Sequence, residues 1–146
     1  MRDLVERAKE LAYRAHAGQT DKAGCPYIEH VARVAAAVSD DPEAEAVAWL
    51  HDVLEDCEDR YRIEVLDNFP EPIYRACCRI SRAWSYDNAE YYAVVRSNPL
   101  ARRVKLADIA DNSDEARLVL LDDKTASRLR RKYAKARQAL QEATDG

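Results

Sequence analysis

Apolar residues recur along this chain at the three- and four-residue spacing of amphipathic helices. In residues 3–17 these positions are Leu4, Val5, Ala8, Leu11, Ala12 and Ala15. Gly18 then ends the predicted helix, because glycine readily adopts the backbone conformation that closes a helix. Strand-like alternation is missing from the sequence, so the pattern predicts an all-helical protein.

Seven further segments show the same spacing or carry residues that start and stop helices. Their predicted ranges are 26–38, 42–56, 60–68, 72–82, 88–95, 100–112 and 123–143. Asp41 is a predicted N-cap with Pro42 at the first helical position, and Asp87 or Asn88 is expected to cap a later helix. Together the segments predict one all-α domain over residues 1–146, a bundle of seven to eight helices.

The apolar positions also predict which helix faces are buried. In the segment 60–68 we expect Ile63, Val65 and Leu66 to pack inside. In the last helix the predicted inward face is formed by Ala126, Leu129, Tyr133, Ala136 and Leu140.

Composition narrows the class of protein. The chain has 146 residues, of which 47% are hydrophobic and 34% charged, which is typical of a folded globular domain. The net charge of −4 argues against binding to a nucleic acid polymer. No stretch reads as a signal peptide or a membrane span. The four cysteines form no CxxC pair, so we expect free thiols and a cytoplasmic protein.

The stretch 46–56 carries the strongest chemical signal. It begins apolar and ends acidic, and on a continuous helix His51 would share a stripe with Glu55, and Asp52 with Asp56. Negative charge is unfavourable at a helix C-terminus, so a divalent cation is a natural partner for these groups. Imidazole and carboxylate are both common metal ligands. The alternative is that His51 and Asp52 merely cap the helix.

Three other polar residues lie in separate predicted helices. His30 follows the sequence Pro-Tyr-Ile-Glu, Asp108 follows an apolar turn, and Asn112 stands one turn beyond Asp108 on the same face. Taken singly, each is an ordinary residue of an amphipathic helix.

Taken together, the order of these stretches resembles the HD-domain metal phosphohydrolases. The chain is most similar to small stand-alone relatives of the RelA/SpoT alarmone hydrolase domain. The matching stretches are residues 15–19, 26–30, 50–56, 104–108 with Asn112, and 129–133. The spaced set is specific, although no single stretch is.

The resemblance implies roles for particular residues. It makes His30, His51, Asp52 and Asp108 the ligands of a divalent metal, usually manganese in this family. Glu55 and Asp56 match the acidic pair that positions and activates the attacking water. Lys105 matches a contact to phosphate or base, and Asn112 a contact to the sugar or the polar network. Lys22, with Lys105, is our first choice for neutralising phosphates, and His16 is expected to be structural.

The chain also departs from the family pattern. Asp21-Lys22 stands where the alarmone hydrolases usually carry Arg-Lys, whose arginine packs on guanine. An aspartate offers no cation–π contact and would repel a phosphate. The basic residues Arg75, Arg79 and Arg82 could form a second cluster or a solvated face. Tyr86, Tyr91 and Tyr92 could stack a base or simply pack.

The expected activity is therefore metal-dependent hydrolysis of a nucleotide phosphate. The most specific prediction is removal of the 3′-pyrophosphate from guanosine-3′,5′-bis(diphosphate), or ppGpp. Two alternatives stay open at this point. One is an HD-type phosphatase acting on a nucleoside monophosphate or on the 2′-phosphate of NADPH. The other is a non-catalytic module that binds metal and nucleotide. The expected partner is a small nucleotide, without membrane or nucleic acid, and a homodimer is left open.

Overall fold

Ten helices make up the regular structure of the residues that the computed structural model describes, 2–82 and 87–141. They are α1 (Arg2–Ala15), α2 (Tyr27–Ala37), α3 (Pro42–Leu50), α4 (Val53–Asp56), α5 (Asp59–Asn68), α6 (Glu71–Ile80), α7 (Asn88–Arg96), α8 (Pro99–Asn112), α9 (Glu115–Leu118) and α10 (Asp123–Gln141). The all-α prediction is confirmed. Helices α4 and α9 are single turns, and the sequence pattern did not predict either as a separate element. None of the helices in the described ranges is long and apolar enough to span a membrane.

Helix starts follow the capping residues. The Asp41 carboxylate accepts a hydrogen bond from the Glu43 amide at 3.0 Å, and Pro42 occupies the first turn. Asp87 accepts one from the Glu90 amide at 2.8 Å. Each carboxylate satisfies a backbone donor that the helix itself leaves unpaired. Both predicted N-caps are confirmed.

Helix α3 forms the centre of the core. Six of its nine residues are buried on all sides of the helix: Ala44, Ala46, Val47, Ala48, Trp49 and Leu50. A helix that is apolar all round belongs in a protein interior. It packs against α1, α2, α6 and α8, and its C-terminal end therefore delivers the next residues into the middle of the molecule.

The predicted continuous helix 42–56 is wrong, because the structure breaks it at His51 and Asp52. Helix α3 ends at Leu50 and α4 begins at Val53. The His51 ring bonds the carbonyl of Ala48 through Nδ1 at 2.6 Å. In a continuous helix that carbonyl would accept from the amide of residue 52. The side chain thus satisfies a carbonyl that the break leaves free. The predicted spacing of Asp52 and Asp56 by one helical turn remains, because the Asp56 amide donates to the Asp52 carbonyl at 2.9 Å.

The predicted inner face of α5 is also wrong in two of its three residues. Val65 is buried, but Ile63 is 56% and Leu66 41% exposed. The buried row is instead Tyr61, Val65 and Phe69, spaced four residues apart. Because α5 lies at the edge of the bundle, it buries one narrow stripe, and its other apolar residues face solvent.

The long C-terminal helix begins where it was predicted to begin, and its predicted end at residue 143 lies outside the described residues. Ala126, Leu129, Ala136 and Leu140 are buried, and Tyr133 is partly buried against them. The four cysteines are all free thiols, as predicted.

Truncating the core side chain Leu11 to alanine is expected to lower the free energy of unfolding by about 2–5 kcal/mol. Leu11 is 1% exposed, so the change leaves a cavity in the packed interior. The matched control is Leu120→Ala, at a position 64% exposed, which should change stability by less than about 0.5 kcal/mol. Urea unfolding of both variants checks the prediction, and equal losses would contradict the assignment of the core.

Candidate active site

Four side chains from distant parts of the chain meet in the interior. They are His30 of α2, His51 and Asp52 at the break between α3 and α4, and Asp108 of α8. One ligand atom from each lies within 4.8 Å of all the others, and all four residues are buried. The Nε2 atoms of His30 and His51 lie 2.8 and 3.3 Å from Asp108 Oδ1. The structure thus brings together the four predicted ligands.

Hydrogen bonds orient both imidazoles toward this shared point. Nδ1 of His51 faces the Ala48 carbonyl, which can only accept, so Nδ1 carries the proton and Nε2 faces the cluster. Nδ1 of His30 faces the Asp111 carboxylate at 2.6 Å. Carboxylates and carbonyls hold metal-binding histidines in the same way. Two nitrogen and two carboxylate donors suit a divalent transition metal, so these residues fit such an ion.

The charges of the cluster are strongly interdependent. Burial on its own would lower the pKa of His51, but the adjoining carboxylates of Asp52 and Asp108 raise it well above its usual value. Burial likewise opposes ionisation of Asp108, yet the Lys105 ammonium and the two histidines lower its pKa. The carboxylates therefore stay ionised in a dry site and attract a cation. A bound metal must displace the proton from His51.

Two residues that support the cluster were missed by sequence reasoning. The Tyr27 hydroxyl donates to Asp52 Oδ2 at 2.5 Å. Asp111 accepts from His30 and is itself held by Arg33 at 2.7 Å and by Arg117 at 2.7 Å. Asp111 follows Asp108 by three residues on the same face of α8, so helical spacing could have revealed it.

Replacing Asp111 with asparagine is expected to weaken metal affinity by about 10–100-fold. The amide cannot offer His30 a charged acceptor and loses its ion pairs with Arg33 and Arg117. Asp40→Asn removes an exposed carboxylate that pairs with Arg103 and serves as the matched control. Metal titration by calorimetry measures both variants, and an affinity at the wild-type level for Asp111→Asn would contradict the role given to Asp111.

The predicted acidic pair stands on α4, beside the cluster and exposed. Partial burial and the charge of Asp52 raise the pKa of Glu55, whose carboxylate also accepts a hydrogen bond from the Arg82 amide. Partial burial, with the negative charges of Asp52 and Glu55, raises the pKa of Asp56 to about 6. A carboxylate with a raised pKa is a better proton acceptor, as a general base requires.

The three predicted substrate-binding residues occupy different places. Lys105 is 19% exposed and its Nζ lies 3.0 Å from Asp108 Oδ2, so its charge is directed at the cluster. The Asn112 amide donates to Asp108 Oδ1 at 3.3 Å. Lys22 is exposed and lines a neighbouring pocket. Lys105 and Asn112 therefore touch the cluster, and Lys22 belongs to the pocket.

That pocket has a volume of about 460 Å³ and lies beside the cluster of His30, His51, Asp52 and Asp108. Tyr27 and Asn112 line it and also bond Asp52 and Asp108, which connects the two sites. Leu118, Leu121, Leu129 and Tyr133 form its apolar lining. The volume falls in the range of small-molecule sites. Charged residues, among them Asp21, Lys22 and Arg117, line the pocket beside its apolar wall.

The other candidate residues are engaged elsewhere. Arg75 pairs with Glu71, and Arg79 donates to Ser97. Arg82 lies over the ring of Tyr91, 3.9 Å from its centroid. The three arginines therefore do not gather into one cluster.

The tyrosines and His16 have separate places. Tyr91 is buried and its hydroxyl donates to Ile80, whereas Tyr92 is partly buried; Tyr86 lies outside the described residues. His16 is buried, and its Nδ1 bonds Gln19 at 2.8 Å.

Two bacterial enzymes are similar to the chain in sequence. The guanosine-3′,5′-bis(diphosphate) 3′-pyrophosphohydrolase of Aquifex aeolicus is 30% identical over 119 residues, which are 74% of this chain and 17% of the enzyme. The Vibrio cholerae enzyme of the same name is 49% identical over 59 residues, 38% of this chain and 8% of the enzyme. The chain thus matches less than a fifth of the length of either curated relative. No family model matches it.

One solved structure shares the fold over nearly its whole length. It is a metazoan orthologue of SpoT described as hydrolysing ppGpp, with a TM-score of 0.62 and 22% identity. The match covers 95% of this chain and 92% of that chain. The chain is thus similar in fold to this SpoT orthologue and in sequence to a part of the two bacterial pyrophosphohydrolases.

Proposed function

We propose that the chain is a metal-dependent phosphohydrolase that removes pyrophosphate from the 3′ position of ppGpp. The observation that carries the proposal is the meeting of His30, His51, Asp52 and Asp108, with both imidazoles oriented from behind. The pocket beside this cluster, which has an apolar wall, supplies room for a nucleoside. The names of the two bacterial relatives support ppGpp as the substrate.

The four ligands would hold one divalent ion, for which we propose Mn²⁺. When bound, such an ion polarises a phosphoryl oxygen and lowers the pKa of water. Glu55 takes the proton from the attacking water, and Asp56 orients that water. The water oxygen forms a bond to the phosphorus that is attached to the 3′ oxygen. The bond between this phosphorus and the 3′ oxygen breaks. The products are pyrophosphate and GDP, with the 3′ oxygen taking up a proton.

The remaining residues bind and orient the substrate. The exposed ammonium of Lys22 meets the phosphates at the rim of the pocket. Lys105 lowers the pKa of Asp108 and so keeps that carboxylate ionised. Asn112 orients Asp108 and faces the sugar. The four free thiols support a cytoplasmic location, because thiols persist where the compartment is reducing.

The experiment is incubation of the purified chain with ppGpp and Mn²⁺, with GDP, pyrophosphate and orthophosphate quantified separately. Equal amounts of GDP and pyrophosphate, dependent on metal, support the proposal. Orthophosphate as the sole product, or no product, overturns it. Release of orthophosphate from NADPH or nucleoside monophosphates in parallel reactions identifies the alternative phosphatase activity. Tight binding of ppGpp without turnover identifies a binding module.

Turnover at saturating metal is expected to fall as the pH drops through about 6. Partial burial raises the pKa of Asp56 to about 6, and the pKa of Glu55 is raised as well. Both groups act as carboxylates, so protonation below that pH removes the base and the water-orienting group. A pH–rate profile from 5 to 9 measures the acid limb. In Asp56→Asn the limb should move to lower pH, because Glu55 loses a negative neighbour. A rate that is flat between pH 5 and 8 would contradict the assignment.

A further inference from the structure

Arg117 of α9 connects the pocket with the metal cluster, and the proposed mechanism does not use it. Its Nη2 lies 3.0 Å from Asp21 Oδ2, and its Nη1 lies 2.7 Å from Asp111 Oδ2 and 3.2 Å from Asn112 Oδ1. The side chain is 23% exposed and lines the pocket. The chain therefore holds one guanidinium at the pocket wall with three acceptors along its edge.

Asp21 serves as a fixed anchor for this arginine. Its Oδ1 accepts the amides of Ala23 and Cys25, both at 2.9 Å, which folds the loop around the carboxylate. Its Oδ2 accepts from Arg117. The pKa of Asp21 is lowered, with burial opposed by the loop amides and by Arg117. The negative charge that was predicted to repel a phosphate is therefore neutralised by Arg117 within the pocket wall.

The position of the guanidinium determines what it can recognise. Its terminal nitrogens donate to two carboxylates and an amide oxygen. Because the N–H donors of a guanidinium lie in its plane, these bonds do not use its flat face. A planar cation with engaged edges stacks well on an aromatic ring. One wall of the same pocket is formed by Leu118, Leu121, Leu129 and Tyr133, which suit a flat apolar surface. A phosphate would instead need the edge donors, and three of these already bond Asp21, Asp111 and Asn112.

We propose that Arg117 is the base-recognition residue of this pocket and that its guanidinium face stacks on a purine. Asp21 and Asp111 bond different nitrogens of the guanidinium and hold it in place. The identity of the ligand as a nucleotide rests on the proposed function. Specificity for the base then depends on two residues 96 positions apart in sequence, Asp21 and Arg117.

The test separates the base from the phosphates by using the two expected products as probes. Binding of GDP and of inorganic pyrophosphate to the Mn²⁺-loaded chain is measured by calorimetry for wild type, Arg117→Lys and Arg117→Gln. Lysine keeps the charge but lacks the flat face. Both variants should bind GDP about tenfold more weakly and pyrophosphate as wild type does. Arg130→Gln, which removes an exposed arginine paired with Glu115, is the matched control and should change neither.

Three results would overturn the proposal. One is wild-type affinity of Arg117→Lys for GDP, which would mean that charge alone matters. Another is equal loss of affinity for GDP and pyrophosphate, which would make Arg117 a phosphate ligand. The third is a loss of bound metal that accounts for the loss of GDP binding, since Arg117 also holds Asp111 behind His30. Metal content is therefore determined for every variant.

Failure of this proposal and failure of the proposed function give different results. Binding of GDP is measured without turnover. If the chain binds GDP through Arg117 but does not hydrolyse ppGpp, the role of Arg117 is supported and the proposed function is not. If Arg117→Lys hydrolyses ppGpp with the KM of wild type, the proposed function is supported and the role of Arg117 is not. If the proposed function and the role of Arg117 are both correct, Arg117→Lys raises KM and leaves kcat unchanged. This is expected for a contact made equally in the ground and transition states.

Discussion

Asp52→Ala is expected to abolish both metal binding and hydrolysis. Asp52 is one of only two carboxylates among the four clustered donors, and its removal leaves three donors with a single negative charge. Imidazoles alone compete poorly against protonation, and the remaining carboxylate, Asp108, already bonds Lys105. The ion supplies the water activation on which the reaction depends, so turnover should fall to the rate in buffer, a loss of at least ~10⁶-fold on the scale of enzymatic accelerations.

The measurement is metal content by mass spectrometry after dialysis against Mn²⁺, together with ppGpp turnover. Wild type should retain about one ion per chain, and Asp52→Ala none. Asp40→Asn, which changes an exposed carboxylate outside the site, should behave as wild type. Retention of a full ion by Asp52→Ala, with turnover within tenfold of wild type, would contradict the ligand assignment.

Glu55→Gln is expected to lower kcat by about 10²–10⁴-fold while leaving metal content unchanged. Glu55 is exposed on α4 and is not among the four clustered donors. The glutamine keeps the size and hydrogen-bonding reach of the side chain but cannot take a proton from water. The loss should therefore fall on the chemical step.

The control for this change is Glu58→Gln, which alters another exposed carboxylate three residues further along the chain. Its kcat should match wild type. Steady-state kinetics at saturating Mn²⁺, with metal content determined in parallel, separates the two roles. A kcat of Glu55→Gln within twofold of wild type, or a parallel loss of metal, would show that Glu55 is not the base.

Local patterns in the sequence predicted most of the helices. Caps such as Asp41 and Asp87 depend on neighbours within three residues, so they can be read directly. The break at His51 could not be predicted in this way, because the apolar pattern runs through it without glycine or proline. It depends on the bond between the His51 ring and the Ala48 carbonyl and on packing of the residues that follow.

Whether the candidate ligands meet at one point depends on tertiary structure. Periodicity places His30 and Asp108 on helices but does not show that these residues, 78 positions apart, meet; the resemblance to a family identified the pair. Arg117 was missed because its partner Asp21 is also remote in sequence, whereas the helical spacing of Asp111 from Asp108 could have revealed Asp111. Because Arg117 is 96 positions away in sequence, Asp21 was predicted to be an unpaired charge that would repel phosphate.

The central claim is that one divalent ion binds where His30, His51, Asp52 and Asp108 converge. An anomalous difference map from crystals grown with Mn²⁺ tests it most directly. We expect a single strong peak bonded at about 2.0–2.3 Å to the Nε2 atoms of both histidines and to an oxygen of each aspartate. A crystal that holds Mn²⁺ elsewhere, with these four side chains bonded only to one another, would contradict the account.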